Sequence, residues 1–171
     1  MLKTPELNEA LEKFRSYVIQ QSRSNLSKMR KNSSKNLYNS LKGKVEIKKD
    51  DYQVIFEMLN YGAFQDEGVS GKNKKYNTRF SYKSKMPPAS KLDKWIVRKG
   101  IAPRDKKGQF ISRKSLQFLI ARSIFKNGIK PSLFFTKPYN DGLKRLPAEV
   151  QNAYGDDVEK YVVEIIMNYI Q

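Results

Sequence analysis

The chain contains neither cysteine nor histidine. Without cysteine there is no disulfide framework, no thiolate zinc site, no Fe–S cluster and no thiol nucleophile. Without histidine the commonest general base and metal ligand is missing too. That excludes Ser-His-Asp hydrolysis, HExxH metalloprotease chemistry and zinc-dependent base deamination. Carboxylate, lysine and tyrosine chemistry remain. Acidic residues are scarce: 17 Asp and Glu stand against 34 Lys and Arg, a formal net charge of +17. No apolar run approaches the roughly 18 residues of a membrane span, and the first five residues lack the basic-then-apolar pattern of a signal segment. The chain therefore reads as soluble, with no membrane partner.

What is present suits one domain carrying arms. The length is 171 residues and 39% of them are hydrophobic, enough for one sizeable core. The excess of positive charge repels itself in a compact state and attracts polyanions or acidic protein surfaces.

Thr4-Pro5-Glu6 is a helix-start signal, and Leu7, Leu11, Phe14 and Val18 follow at helical spacing. From Ser22 to Lys35 the sequence turns polar and basic, which predicts an exposed or fraying arm, with one more short turn at Leu37, Tyr38 and Leu41. Val45 and Ile47 alternate with charged residues and Tyr52 to Leu59 is rich in β-branched and aromatic residues, so the two segments read as a hairpin turning at Lys49-Asp50-Asp51. Gly62, Gly68 and Gly71 make residues 61–71 a loop or a bulged strand. Residues 72–85 are a mobile loop or a hairpin. A short helix follows at Ser90 to Lys99, with Leu92, Trp95 and Ile96 inward and Gly100 closing it. Asp105 to Gly108 is a turn. Ser112 caps a longer helix with Leu116, Leu119, Ile120 and Ile124 on one face, stopped by Gly128. Phe134 and Phe135 fall in an extended stretch. Pro147 opens a last helical region, interrupted or not at Gly155, whose stripe of Val158, Tyr161, Val162, Ile165 and Tyr169 packs on the sheet.

The fold class that follows is α+β: a small antiparallel sheet packed against an N-terminal, a central and a C-terminal helix, with long loops. The expected division is 1–43, a helix and basic arm, and 44–171, the α+β domain with a long basic insertion around 72–109.

Charge is uneven along the chain. Between Lys72 and Lys114, fifteen basic residues stand against Asp93 and Asp105, whereas from Leu146 onward Lys160 is the one basic residue among five acidic ones. Opposite signs in two regions of one small chain suit head-to-tail self-assembly.

Motifs with chemical meaning are weak. Glu46-x-Lys48 has the outline of the second half of a PD-(D/E)xK nuclease pattern, but no Asp precedes Asp50, so the missing metal ligand would have to be Glu9 or Glu12. Gly71-Lys72-Asn73 fails as a phosphate-binding loop on spacing. Gly68-Val-Ser-Gly71 has the GXXG outline of KH domains without the flanking helices, and a turn needing positive φ explains it better. Asp66-Glu67 is placed to pair with Arg79 or Lys72, or with a neighbouring subunit's basic surface. The Lys-rich, ring-interleaved stretch of Lys72, Lys74, Lys75, Arg79, Lys83 and Lys85 with Tyr76, Phe80 and Tyr82 fits phosphate-backbone contact with ring stacking and no base selection.

Tyr61-Gly-Ala-Phe-Gln-Asp-Glu-Gly-Val-Ser-Gly71, Trp95 to Ile101, Phe118 to Pro131 and Phe134-Phe135, in that order, resemble the tail-completion (neck, head-to-tail connector) proteins of tailed bacteriophages. The resemblance runs from about Lys44 to the C-terminus, with a longer insertion at 72–109 and a longer basic first arm. It implies a virion structural protein rather than an enzyme, made in the host bacterial cytoplasm. Such a subunit forms a homo-oligomeric ring, a hexamer or dodecamer, between a portal-proximal connector and the tail around the DNA conduit. No cofactor, metal or catalytic residue is expected. The contact residues it suggests are Tyr61, Phe64, Asp66, Glu67, Phe134 and Phe135, and the basic loop of Lys72, Lys74, Lys75, Arg79, Lys83 and Lys85 would face DNA or acidic partners. The alternative is a non-sequence-specific nucleic-acid-binding protein using the basic region 72–114.

Overall fold

A computed structural model describes residues 4–48 and 51–170. In chain order its elements are α1 (Pro5–Lys28), α2 (Asn36–Ser40), β1 (Lys42–Lys48), β2 (Asp51–Glu57), α3 (Tyr61–Glu67), a 3-10 turn at Ala89–Leu92, α4 (Asp93–Arg98), α5 (Arg113–Asn127), α6 (Thr136–Leu143) and α7 (Leu146–Ile170). This is the expected α+β class, with one two-stranded antiparallel sheet among the described residues. The chain divides into two compact units: Met1–Met29, Leu37–Leu59 and Phe134–Gln171 form the first, Arg30–Asn36 and Asn60–Leu133 the second. The division does not follow the expected boundary at residue 43, and the basic insertion 72–109 lies inside the second unit.

The first unit is organised on α1. Leu7, Leu11, Phe14 and Val18 are buried as their spacing predicts, but the stripe does not stop there. Ser22 and Leu26 continue it at steps of four and are fully buried. The first part of the expected arm, Ser22 to Lys28, is thus helix that keeps a buried face at Ser22 and Leu26, while residues 27–30 are exposed. Thr4 stands at the N-cap without capping. Its hydroxyl pairs instead with the Tyr52 hydroxyl at 2.8 Å. The cap comes from α7, where Asp157, 2% exposed, accepts from the backbone N–H groups of Glu6 (3.2 Å) and Leu7 (3.0 Å). A carboxylate at a helix N-terminus satisfies orphan donors and opposes the positive end of the helix dipole.

The hairpin pairs Lys42 with Glu57 through Lys48 with Asp51; Lys49 and Asp50 of the expected turn lie outside the described residues. It meets α1 at Gly43, where a Cβ would stand 2.8 Å from Arg15 Cγ and 3.0 Å from Ile19 Cδ1. Two arginines of α1 clamp the entry to β1. Arg15 donates to the Gly43 carbonyl, and Arg23 donates to those of Tyr38 and Leu41.

Phe134 and Phe135 lie in a turn that opens α6, an element absent from the sequence reading. Phe134 is fully buried with Leu26, Leu37 and Leu41, while Phe135 joins Phe14, Phe56 and Tyr139 in a cluster with ring centroids 5.5–6.0 Å apart. α7 is continuous through Gly155. Its main partner is α1 rather than the sheet, and Val158, Val162 and Ile165, expected to pack inward, are exposed. The inward row is Val150, Ala153, Asp157 and Tyr161; the side chain of Tyr169 lies outside the described residues.

The second unit has less apolar interior: Val69, Ile96, Leu116 and Ala121 are its buried hydrophobics among the described residues. Residues 61–67 are helical, not a loop. Gly68 then takes φ 76° and starts a short crossing in which Val69 bridges Ile129. Three glycines make the crossing possible. A Cβ at Gly71 would lie 2.3 Å from the Lys126 carbonyl oxygen, and one at Gly128 would lie 2.1 Å from that of Val69. The central helix α5 belongs to this unit and packs on the 3-10 turn and α4. Ser112 caps it as expected, accepting from Ser115 N–H, and Gly128 ends it at φ 72°. Leu119 faces out, contrary to its expected place, and Trp95 is 37% exposed while Ile96 alone of that trio is buried.

Candidate functional site

The charge of the chain is not shared between the units. The second contains 21 Lys and Arg against Asp66, Glu67, Asp93 and Asp105, whereas the first contains 13 basic and 13 acidic residues. The whole net charge of +17 therefore sits in the second unit. Arg30, Lys31 and Lys35 join it from the N-terminal arm, and Arg122, Lys126 and Lys130 extend it beyond the 72–114 window. The sequence signal for the last three was the absence of any acid between Asp105 and Asp141. Burial holds the Lys31 ammonium below the ordinary lysine range.

Few of these cations are paired. Arg79 meets Glu67 through two hydrogen bonds of 2.9 and 3.1 Å, the pairing the sequence suggested, and Arg113 lies 3.8 Å from Asp93. No other ion pair is formed by the basic residues of this unit among the described residues. Lys72, Lys74, Lys83 and Lys85 are exposed, and Lys75, also exposed, donates to the Gly71 carbonyl at 2.9 Å.

The backbone of the basic loop is fixed by the glycine crossing. Lys72 N–H donates to the Phe125 carbonyl, Asn73 N–H to Lys126, and Ser70 exchanges bonds with Phe80 and Tyr82. Its rings are occupied within the unit. Phe80 meets Phe64 edge-on at 4.5 Å beneath the Arg79 guanidinium, Tyr82 lies against Phe125, and Tyr76 lies under Lys74. Burial of Tyr82 pushes its hydroxyl above the usual tyrosine range. The expected stacking of these rings on bases thus loses its geometric basis; the lysines around them remain available.

The suggested contact residues separate into two groups. Tyr61 and Phe64 are exposed, at 43% and 41%. Phe134 and Asp66 are buried, at 0% and 3%, and cannot face another subunit; the Asp66 carbonyl accepts from Ser132 and Leu133 N–H. Glu67 is engaged by Arg79, and Phe135 belongs to the aromatic cluster of the first unit.

The nuclease outline places nothing together. Glu46 is flanked by Lys44 at 2.6 Å and Lys48 at 3.5 Å, and the bond from Lys44 holds its carboxyl below the usual range. Glu9 and Glu12 pair within α1 with Lys13 and Arg15. Among the described residues no cluster of three or more acidic side chains is placed to hold a metal ion, and no helix is long and apolar enough to cross a membrane.

A surface that the sequence reading assigned to the core lies on α7. Val158, Val162 and Ile165 of that stripe are exposed, and so are Tyr154, Val163, Ile166 and Met167, so the apolar exposure of this helix is not confined to one face. No known protein family, curated protein or solved structure matches the chain.

Proposed function

We propose that the chain is a structural subunit of a tailed-phage neck, assembling into a homo-oligomeric ring that joins the portal-proximal connector to the tail around the DNA conduit. The observation that carries this reading is the partition of charge: a neutral unit with an apolar core, and a unit holding all 17 net positive charges with most of its cations unpaired. A ring around DNA needs both kinds of surface. One meets a polyanion, the other supplies a rigid frame and contacts to neighbours. The resemblance of the motif order to tail-completion proteins points the same way. In this role the chain converts nothing.

The test is location. Imaging of purified virions should show the chain as a ring between portal and tail; its absence from particles would end the proposal. The same charge partition favours a second reading, a non-sequence-specific nucleic-acid-binding protein held by phosphate contacts. That protein would bind duplex DNA of any sequence as an isolated chain, with log affinity falling against log salt by about 0.9 per contacted phosphate.

A further inference from the structure

We propose that a small pocket in the second unit, walled by Phe110, seats an unpaired nucleobase, and that the basic hairpin beside it grips the phosphates of the same strand. The ligand is a single-stranded nucleic acid.

The hairpin of residues 103–111 is fixed by its own bonds. Arg104 and Phe110 form a β-bridge, Ile111 N–H donates to the Pro103 carbonyl, and Asp105 N–H donates to that of Gln109. Gly108, at φ 81°, closes the turn by donating to the Asp105 carbonyl. The Asp105 carboxylate, the one acid of the hairpin, accepts from the N–H groups of Lys107 and Gln109. Lys106 and Lys107 are left exposed at the tip. A loop already held in one shape loses little freedom on binding.

Phe110 is the ring this hairpin presents. At 65% exposed it is the most exposed large hydrophobic side chain among the described residues. The Arg104 guanidinium lies 3.8 Å from its centroid and is tied by Nη1 to the Gly108 carbonyl at 2.7 Å. Tyr76, Phe80 and Tyr82 are engaged elsewhere in the unit, whereas Phe110 meets no other ring among the described residues. It lines a cavity of about 250 Å³ together with Ile96, Ile101, Pro103 and Leu116, and Arg113 is the single charged residue of the lining. Pockets for drug-sized ligands run to roughly 300–1,000 Å³, so this one suits a single flat ring system.

Charge separates a nucleobase from the apolar side chain of a protein partner. Residues 104–114 contain five Lys and Arg against Asp105, and Arg104, Lys106, Lys107 and Lys114 form no ion pair among the described residues. An apolar slot on a cationic segment matches a flat ring joined to a negatively charged chain. Lys106 is two residues from Arg104, about 7 Å of extended chain at 3.3 Å per residue, so a phosphate next to the seated base falls within its reach. The site rests on the phosphate-contact reading of the second unit, which it deepens by naming the form of nucleic acid. It is indifferent to ring assembly.

The test is fluorescence anisotropy of the full chain with three labelled ligands: a short thymidine strand, the same strand built with abasic spacers, and a duplex. The base-bearing strand should bind about tenfold tighter than the abasic one. Phe110→Ala should erase that preference and leave duplex affinity within about twofold, since stacking is lost and phosphate contacts are not. Phe110→Trp should keep the preference, with indole fluorescence quenched by the base-bearing strand alone. The double change Lys106→Ala and Lys107→Ala should weaken both single strands alike and flatten their salt dependence. Circular dichroism of each variant excludes misfolding as the cause. Equal affinity for the base-bearing and abasic strands, or a preference that survives Phe110→Ala, would overturn the pocket, while steep salt dependence would leave the phosphate-contact reading standing. Displacement of the strand by an equal concentration of free thymidine monophosphate would overturn the strand in favour of a lone nucleotide. Failure to bind any of the three ligands would overturn both the pocket and the phosphate-contact reading.

Discussion

The two units are close in length, 90 and 81 residues, yet they are held together differently. Nine buried apolar side chains, from Leu7 to Phe134, fill the first among the described residues, and its acids and bases cancel. The second buries four, carries the whole net charge, and relies on backbone bonds across its glycine crossing. Hydrophobic burial is the dominant stabilising term in folding, whereas concentrated like charge opposes compaction. The first unit is thus built for stability on its own. In the proposed reading the second is completed by negative charge.

Core truncation gives the largest expected contrast. Phe134→Ala removes a fully buried ring from the Leu26, Leu37 and Leu41 cluster and should cost about 3–5 kcal/mol, read by denaturant unfolding. Gly71→Ala drives a methyl into the Lys126 carbonyl and should cost about 1–3 kcal/mol. Its loss of amide-exchange protection should be confined to residues 60–133. Spread of that loss into the hairpin would break the distinction between the units.

Asp157→Ala leaves two α1 N–H groups without their acceptor and should cost about 1–3 kcal/mol, with Asp157→Asn milder because an amide oxygen still accepts. Smallest, and opposite in sign, is Gly155→Ala. It should raise the melting stability of the unassembled chain by about 0.8–1 kcal/mol, since the site is helical with open space around it.

Local signals were legible in the sequence. The hairpin follows from alternation at Val45 and Ile47, and α5 from its Ser112 cap and Gly128 stop, because each depends on neighbours a few residues away. α6 was hidden because Phe134 and Phe135 read as part of an extended stretch and the helix itself carries Pro138 and Gly142, residues of low helix propensity. Pro138 sits in the first turn, where its missing N–H costs nothing, and Gly142 is the point at which the helix approaches the Phe14 ring. α3 was hidden likewise by Gly62, a buried helical residue read as a turn.

The candidate surfaces were half legible. Basic composition marked the second unit, but the reach of its charge into residues 30–36 depends on the chain path, not on spacing. A helical apolar stripe shows that a face exists without saying whether it turns inward, so Val158 and Val162 were assigned to the core. The Asp157 cap joins residues 150 positions apart, beyond the range of any local pattern.

The most direct test of the charge partition is amide hydrogen exchange on the full chain with and without duplex DNA, at low and at moderate salt. The account predicts added protection within residues 30–36 and 60–133, fading steeply as salt rises from about 50 to 200 mM. Protection gained chiefly in residues 37–59 and 134–167, or a gain indifferent to salt, would contradict it.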